Sequence, residues 1–404
     1  MGGIVVVGGG QAGASLVAKL RALGFDGAVT LVCDEPVPPY QRPPLSKKYL
    51  LGEMEVERLY LRPESYYAEE GITLLTGDPA TGIDRDAKTV TLASGAVLSY
   101  DQLALTTGSR PRALPATIGG VLPGVHVVRT LADIDTMAPA VREGAQALIV
   151  GGGYIGLEAA AVARQRGMDV TLVEMAPRIL QRVAAEATSD YFRALHTAQG
   201  VRIIEGMGLE RLTGEDRVTG AILSDGTKLP ADLVIVGIGI LPDTRLAETA
   251  GLTLENGIAV DTEGRTSDPA IWAAGDCASF PWRGVQMRLE SVQNAIDQAE
   301  CVAENMLGAG KGYDPHPWFW SDQYDVKLQI AGLGAGHDHV AVRPGDRDGA
   351  VSHWYYAGGK LLAVDAMNDP RAYMVGKRLI EAGKSPDPAK IGDPATDLKA
   401  LLNP

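Results

Sequence analysis

The chain has 404 residues, a formal net charge of −13 and an apolar content of 46%, a length that suggests about two to four domains with sizeable cores. The acidic balance argues against general binding to nucleic acid or to an anionic membrane, though not against a local basic patch. No apolar run is long enough for a membrane span. Three cysteines, Cys33, Cys277 and Cys301, lie far apart, with no C-x-x-C pair and no metal spacing, so neither a disulfide framework nor a metal site is expected. No secretory signal is present, and the simplest expectation is a cytoplasmic protein.

Ile4-Val5-Val6-Val7 runs into Gly8-Gly9-Gly10-Gln11-Ala12-Gly13. A helix-compatible segment, Ala14 to Leu23, follows, then a second apolar run from Val29 to Cys33 that ends at Asp34-Glu35. Strand, glycine turn, helix, strand and acid stand in the order of a dinucleotide site. Gly8 allows the tight turn, Gly10 lets backbone approach a pyrophosphate, and Gly13 lets the helix pack on the strand. The helix N-terminus offers unpaired N–H groups and the positive dipole end to phosphates. Asp34 is placed to accept hydrogen bonds from a ribose hydroxyl pair.

Residues 36 to 44 hold five prolines, which exclude a helix and give a stiff, extended segment. Arg42 and Lys47 are cations near the pyrophosphate site that the first glycine turn predicts. They suit a pyrophosphate site or an ordinary solvated loop. Short strands are expected at Ile72-Leu75, Thr89-Leu92 and Leu103-Thr106, separated by turn residues. Thr107-Gly108-Ser109-Arg110-Pro111 then reads as a crossing between domains.

The opening pattern repeats. Ala147-Leu148-Ile149-Val150 enters Gly151-Gly152-Gly153-Tyr154-Ile155-Gly156, a helical run from Leu157 to Arg166 follows, and the strand Val170-Val173 ends at Glu174. Two fingerprints imply two dinucleotide sites, or a duplicated domain whose second site is empty. A carboxylate at Glu174 favours a free 2′-hydroxyl and repels a 2′-phosphate, hence NAD over NADP. Arg178 and Arg182 leave the other choice open. Leu233-Val236 runs into Gly237-Ile238-Gly239 and reads as the return crossing. Ala274-Gly275-Asp276 ends a further strand, and Glu290-Ser291-Val292 opens a long helical pattern to about Leu307. The N-terminus of that helix suits negative charge on a reduced ring. From Pro317 short alternating strands take over, with Ala357-Gly358-Gly359-Lys360 as a hairpin turn and a helical segment from Arg371 to Ala382.

The fold class expected is α/β, with two Rossmann-like dinucleotide-binding domains and a C-terminal α+β domain bearing an antiparallel sheet. Its domains are residues 1–110 with 243–316, 111–242, and 317–404. The whole chain resembles the FAD-dependent pyridine nucleotide-disulfide oxidoreductases. More narrowly, it resembles the NADH-dependent ferredoxin reductases that serve haem monooxygenases and ring-hydroxylating dioxygenases. The resemblance rests on Gly8-Gly13, Arg42-Pro43-Pro44-Leu45-Ser46-Lys47, Thr107-Pro111, Gly151-Gly156 with Leu157-Glu158, Ala274-Cys277, Glu290-Val292 and Phe319-Trp320-Ser321-Asp322-Gln323.

The resemblance implies that the first domain binds FAD and the middle one NAD. For FAD it implies Gly8, Gly10, Ala12, Gly13, Asp34, Arg42, Lys47, Ala80, Arg129, Asp276 and Val292. Lys47 is implied to lie close to flavin N5 and to pair with Glu158. For NAD it implies Gly151, Gly153, Ile155, Gly156, Glu174 and Gly239, with Glu290 and Trp320 near the nicotinamide. The resemblance further implies that hydride passes from NADH to the flavin and that electrons then leave singly to an acidic [2Fe–2S] ferredoxin, which is expected to dock on a local basic surface. From the residues alone, the alternative for Trp320 is a core aromatic and for Glu158 a helix-surface acid. The disulfide-using flavin reductases carry a reactive cysteine pair near residues 36–48. This chain has none there, which fits direct transfer from flavin to partner. Expected partners are the ferredoxin and NADH, with no nucleic acid and no membrane, and the protein is expected to be a monomer or weak homodimer. The alternatives are a rubredoxin reductase and an apoptosis-inducing-factor-like, redox-gated binding flavoprotein.

Overall fold

A computed structural model describes residues 3–403. The chain divides into two compact units. One holds the residues up to Arg42, Met54–Arg110 and Ile240–Pro315, and the other holds Pro43–Glu53, Pro111–Gly239 and the chain from His316 onward. Among the described residues no helix is long and apolar enough to cross a membrane.

The first unit is built on a five-stranded parallel sheet in the order Ile271–Ala273, Gln102–Leu105, Ile4–Val7, Val29–Val32, Ile72–Leu75. Its middle strand, Ile4–Val7, is buried along its whole length, as a parallel strand covered on both faces must be. Helices Gln11–Ala22 and Val292–Met306 pack on one face through Leu16, Val17, Leu20, Ala299, Val302 and Ala303. Lys19 ties their rims, 3.0 Å from Glu304. The other face is covered by a separate core that takes in Val5, Val7, Leu103 and Leu105. An antiparallel three-stranded sheet, Ala80–Asp84, Thr89–Leu92 and Val97–Ser99, belongs to the same unit.

The second unit repeats the parallel design, in the order Arg202–Ile204, Asp169–Val173, Gln146–Val150, Leu233–Val236, Val125–His126. It also holds the antiparallel sheet expected near the C-terminus. The strand order there is Trp318–Gln323, Val326–Gly332, Lys360–Met367, Val351–Ala357, His339–Pro344. The helix Pro370–Glu381 packs on that sheet, capped by Asp369 with Pro370 at its first position. This is the proline placement a helix start tolerates.

Two boundaries differ from the sequence reading for one reason. The helices after the glycine turns are Gln11–Ala22 and Tyr154–Gln165, so each starts three residues before the expected Ala14 and Leu157. The second glycine of each G-x-G-x-x-G pattern, Gly10 or Gly153, is the N-cap. The third, Gly13 or Gly156, therefore lies inside the first turn. After the proline segment, Leu45–Tyr49 forms a short π-type turn whose backbone is non-helical at Lys47.

Candidate functional site

In the first unit the geometry centres on the glycine turn. Gly8 has φ +119°, and a Cβ there would lie 2.2 Å from the Thr106 carbonyl oxygen. A Cβ on Gly13 would lie 2.0 Å from the Gly8 oxygen, so the helix sits directly on the strand end. Gly10 is the opposite case, with nothing within 4 Å of where its Cβ would be. The space above the second glycine is open, and the first N–H groups of the helix, which have no intrahelical acceptor, border it.

Asp276 follows Gly275, whose φ is +82° and whose Cβ would lie 3.0 Å from the Ala12 Cβ. The Gly-Asp turn is thereby set against the start of the same helix. Ser109 Oγ donates to the Asp276 carboxylate at 2.9 Å. Gln298 accepts the Gly275 N–H at 2.8 Å, while its buried Nε2 has no partner. A buried amide donor left over beside an open glycine turn fits an oxygen-rich group such as a dinucleotide phosphate or sugar, because an unsatisfied buried donor is costly. These residues fit FAD.

The remaining expected FAD residues of this unit are placed as follows. Asp34 is exposed at the end of its strand. Its neighbour Glu35 takes the Arg42 guanidinium at 2.7 Å and the Tyr40 hydroxyl at 2.6 Å, and Arg42 lies over the Tyr40 ring. Ala80 opens the strand Ala80–Asp84. Val292 is the first residue of its helix, behind the N-cap Ser291. Glu290 pairs with Arg288 at 2.6 Å, and Arg288 donates to the Asp276 carbonyl at 3.2 Å.

In the second unit Gly151 has φ +106°, and Gly153 is open over its Cβ position like Gly10. Glu174 folds back over this turn. Its carboxylate accepts Gly152 N–H at 2.6 Å and Ala176 N–H at 2.7 Å. Arg178 is tied to Ser189 Oγ and to the Ala184 carbonyl. The Arg182 guanidinium is the one beside Gly239, 3.7 Å from where a Cβ would stand. Ile155 is exposed in the first helical turn. Arg129 precedes the Thr130 cap, and its N–H donates to Asp133.

Lys47 and Glu158 meet in this unit, with Nζ 3.0 Å from Oε1 and side chains 17% and 9% exposed. Burial pushes the Glu158 carboxyl up from its ordinary range, opposed by Lys47, Ser321 and Ser46. Ser321 Oγ donates to it at 2.7 Å and Ser46 Oγ at 3.2 Å. Asp322 is a weaker second partner of Lys47, at 3.7 Å. Removing either member of such a pair strands the other charge, so the pair marks a required arrangement more than a source of stability. Trp320 stands next to these residues on its strand and tilts against Trp318 at 5.6 Å.

Sequence reasoning gave no role to Ser46, Ser109, Arg288, Gln298 or Ser321. A signal existed for Gln298. Asn294, Gln298, Cys301 and Asn305 are buried along one stripe of the helix Val292–Met306, and polar residues at core-facing helical spacing ask for partners.

The chain belongs to the pyridine nucleotide-disulphide oxidoreductase family, whose model matches residues 2–299, and a reductase C-terminal model matches residues 318–402. It is thus an oxidoreductase, of a family that works with FAD and a nicotinamide nucleotide. Rhodocoxin reductase of Rhodococcus erythropolis is 43% identical over 402 residues, covering 99% of this chain and 94% of that protein. The ferredoxin reductase for the CYP199A2 system of Rhodopseudomonas palustris superposes with a TM-score of 0.95 at 41% identity, covering 99% of both chains. The reductase in a covalent putidaredoxin reductase–putidaredoxin complex gives 0.95 at 40% identity, covering 99% of this chain and 98% of that one. The three cysteines are free and buried. Burial and the neighbouring Asp34 and Glu35 push the Cys33 thiol up to about 12, far from a reactive thiolate.

Proposed function

We propose that the chain is an NADH-dependent ferredoxin reductase that passes electrons one at a time to a [2Fe–2S] ferredoxin feeding a haem monooxygenase or ring-hydroxylating dioxygenase. The observation that carries the reading is the pair of glycine turns, each open above its second glycine and each at the start of a helix. One supports an FAD site and the other an NADH site. FAD, when bound, accepts a hydride and releases electrons singly, which is cofactor chemistry rather than side-chain chemistry.

The FAD is assigned to residues 1–110 and 243–316. Gly8, Gly10 and Gly13 form its phosphate cradle, Ala12 and Asp276 stand beside it, and Asp34, Arg42, Ala80 and Val292 take the family positions. The NADH is assigned to residues 111–242 through Gly151, Gly153, Ile155, Gly156, Glu174 and Gly239. Glu290 and, from residues 317–404, Trp320 are assigned to the nicotinamide. Lys47, held by Glu158, supplies a fixed positive charge to the flavin. Glu174 supports NADH over NADPH, because a 2′-phosphate would meet its carboxylate, and Arg178 is spent on Ser189 and Ala184.

The acceptor is proposed from the relatives, and the buried cysteines support transfer without a disulfide. The test is NADH-dependent cytochrome c reduction with and without an added [2Fe–2S] ferredoxin, repeated with NADPH. A large rate that requires both NADH and ferredoxin is expected. Turnover indifferent to ferredoxin removes the reading.

A further inference from the structure

We propose that Ser321, Gln323 and His196 form a one-way chain of hydrogen-bond donors that holds Glu158 as a carboxylate opposite Lys47, which makes them positioning residues for the reductase. The inference rests on the reading above, in which the Lys47–Glu158 pair serves the flavin.

The strand Trp318–Gln323 points Ser321 and Gln323 to one face, and both side chains are fully buried. Glu158 as a carboxylate only accepts, so the Ser321 hydroxyl proton is spent on it at 2.7 Å. Ser321 Oγ then accepts from Gln323 Nε2 at 3.2 Å. The Gln323 amide oxygen is thereby turned to His196 Nε2 at 2.8 Å, and that nitrogen must carry a proton. His196 Nδ1 is then the acceptor, and it faces the Tyr324 hydroxyl at 3.4 Å. Each donor follows from the one before. Burial lowers the His196 pKa and Gln323 opposes this, which leaves the ring neutral with one proton to place.

The charged and titratable groups facing Glu158 are Lys47 from the Leu45–Tyr49 turn, Asp322 acting through Lys47, and His196 at the far end of the chain. Ser46 adds a donor to the second carboxylate oxygen. Burial alone favours a protonated Glu158. A proton on Oε1, however, would have to donate toward Ser321. Ser321 would then turn its hydroxyl, Gln323 would flip its amide and His196 would change tautomer. Protonation at Oε1 is opposed by the whole chain and not by one contact, and protonation at Oε2 by the Ser46 donor.

The test is an NMR titration of the FAD-loaded enzyme, labelled with ¹³C at glutamate side-chain carboxyls, with the Glu158 signal identified by its loss in Glu158→Gln. Ser321→Ala should raise the Glu158 midpoint by about one pH unit or more, and Gln323→Leu and His196→Phe by smaller, measurable amounts. Ser321→Thr and His196→Gln, which keep a donor, should restore the wild-type midpoint. Should Gln323→Leu fail to fold, the His196 pair decides alone. A midpoint that moves in Ser321→Ala but not in Gln323→Leu or His196→Phe overturns the chain, since Ser321 then acts alone. The titration uses neither NADH nor ferredoxin. Shifted midpoints in a protein that ignores ferredoxin therefore keep the chain and remove the reductase reading, and unmoved midpoints in an active ferredoxin reductase do the reverse.

Discussion

Replacing Gly10 or Gly13 by alanine adds the same methyl group three residues apart, with opposite consequences. At Gly13 the new Cβ would lie 2.0 Å from the Gly8 oxygen. The contact is with backbone on both sides, so helix and strand must part by more than about 1 Å to reach ordinary van der Waals distance. Overpacking of that kind costs about 1–3 kcal/mol. At Gly10 the methyl meets nothing within 4 Å, and φ is −86°, open to any residue. The folding cost is limited to a weaker N-cap, about 1 kcal/mol or less. The methyl does, however, occupy the space assigned to the FAD pyrophosphate. Losing one charge-assisted contact of about 1.5–3 kcal/mol corresponds to roughly 10- to 150-fold weaker binding. Thermal unfolding of the apoprotein followed by circular dichroism, with FAD titration by fluorescence quenching, separates the two effects. Gly13→Ala should lower the Tm and the affinity together, and Gly10→Ala the affinity with little change in Tm. FAD binding by Gly10→Ala within twofold of wild type would show that the open space above this turn is not the pyrophosphate site.

Lys47→Ala leaves Glu158 buried without its cation. Its carboxyl should titrate still higher, and stopped-flow reduction by NADH should slow or FAD affinity fall; unchanged values for both remove the proposed role. Glu174→Ser should raise the NADPH-to-NADH ratio of kcat/KM by about tenfold, and a ratio that stays constant assigns nucleotide choice elsewhere. A buried pair in the C-terminal sheet predicts a pH effect on stability. Asp365 accepts from Thr188 and Tyr355, and burial pushes its carboxyl from 3.8 up to about 6. Its folded form therefore binds protons more tightly than the unfolded form, and stability falls as pH rises through that window. His353, 2.8 Å from Thr188, is lowered by burial from 6.5 to about 4. It acts with the opposite sign, since stability is lost as pH falls through its window. Asp365→Asn removes the first contribution only. Its unfolding free energy from urea denaturation should rise more steeply with pH between about 4 and 6 than that of wild type, and parallel curves would refute the assignment.

What the sequence determined by itself was local and periodic. The glycine turns are legible because tight turn, phosphate approach and helix packing fall on fixed offsets within a single strand–turn–helix. The C-terminal hairpin is legible because Gly358-Gly359 sits between two runs of strand-forming residues. The resemblance extended this to the Lys47–Glu158 pairing, which no spacing shows, since the two residues lie on separate segments of chain. Only the tertiary structure decided which neighbours those residues have. Asp34 and Glu35 are adjacent acids in sequence, yet Glu35 takes Arg42. Arg178 and Arg182 are near neighbours in sequence, yet Arg178 is spent on Ser189 and Arg182 lies beside Gly239. Ser321 and Gln323 stand in a motif that carries the resemblance, but their link to each other and to His196 appears only once burial forces each donor to find an acceptor. A motif is written by short-range sterics, which the order of residues specifies. A hydrogen-bond chain through a core depends on which distant segments pack together and exclude water, and that is settled only when the chain has folded.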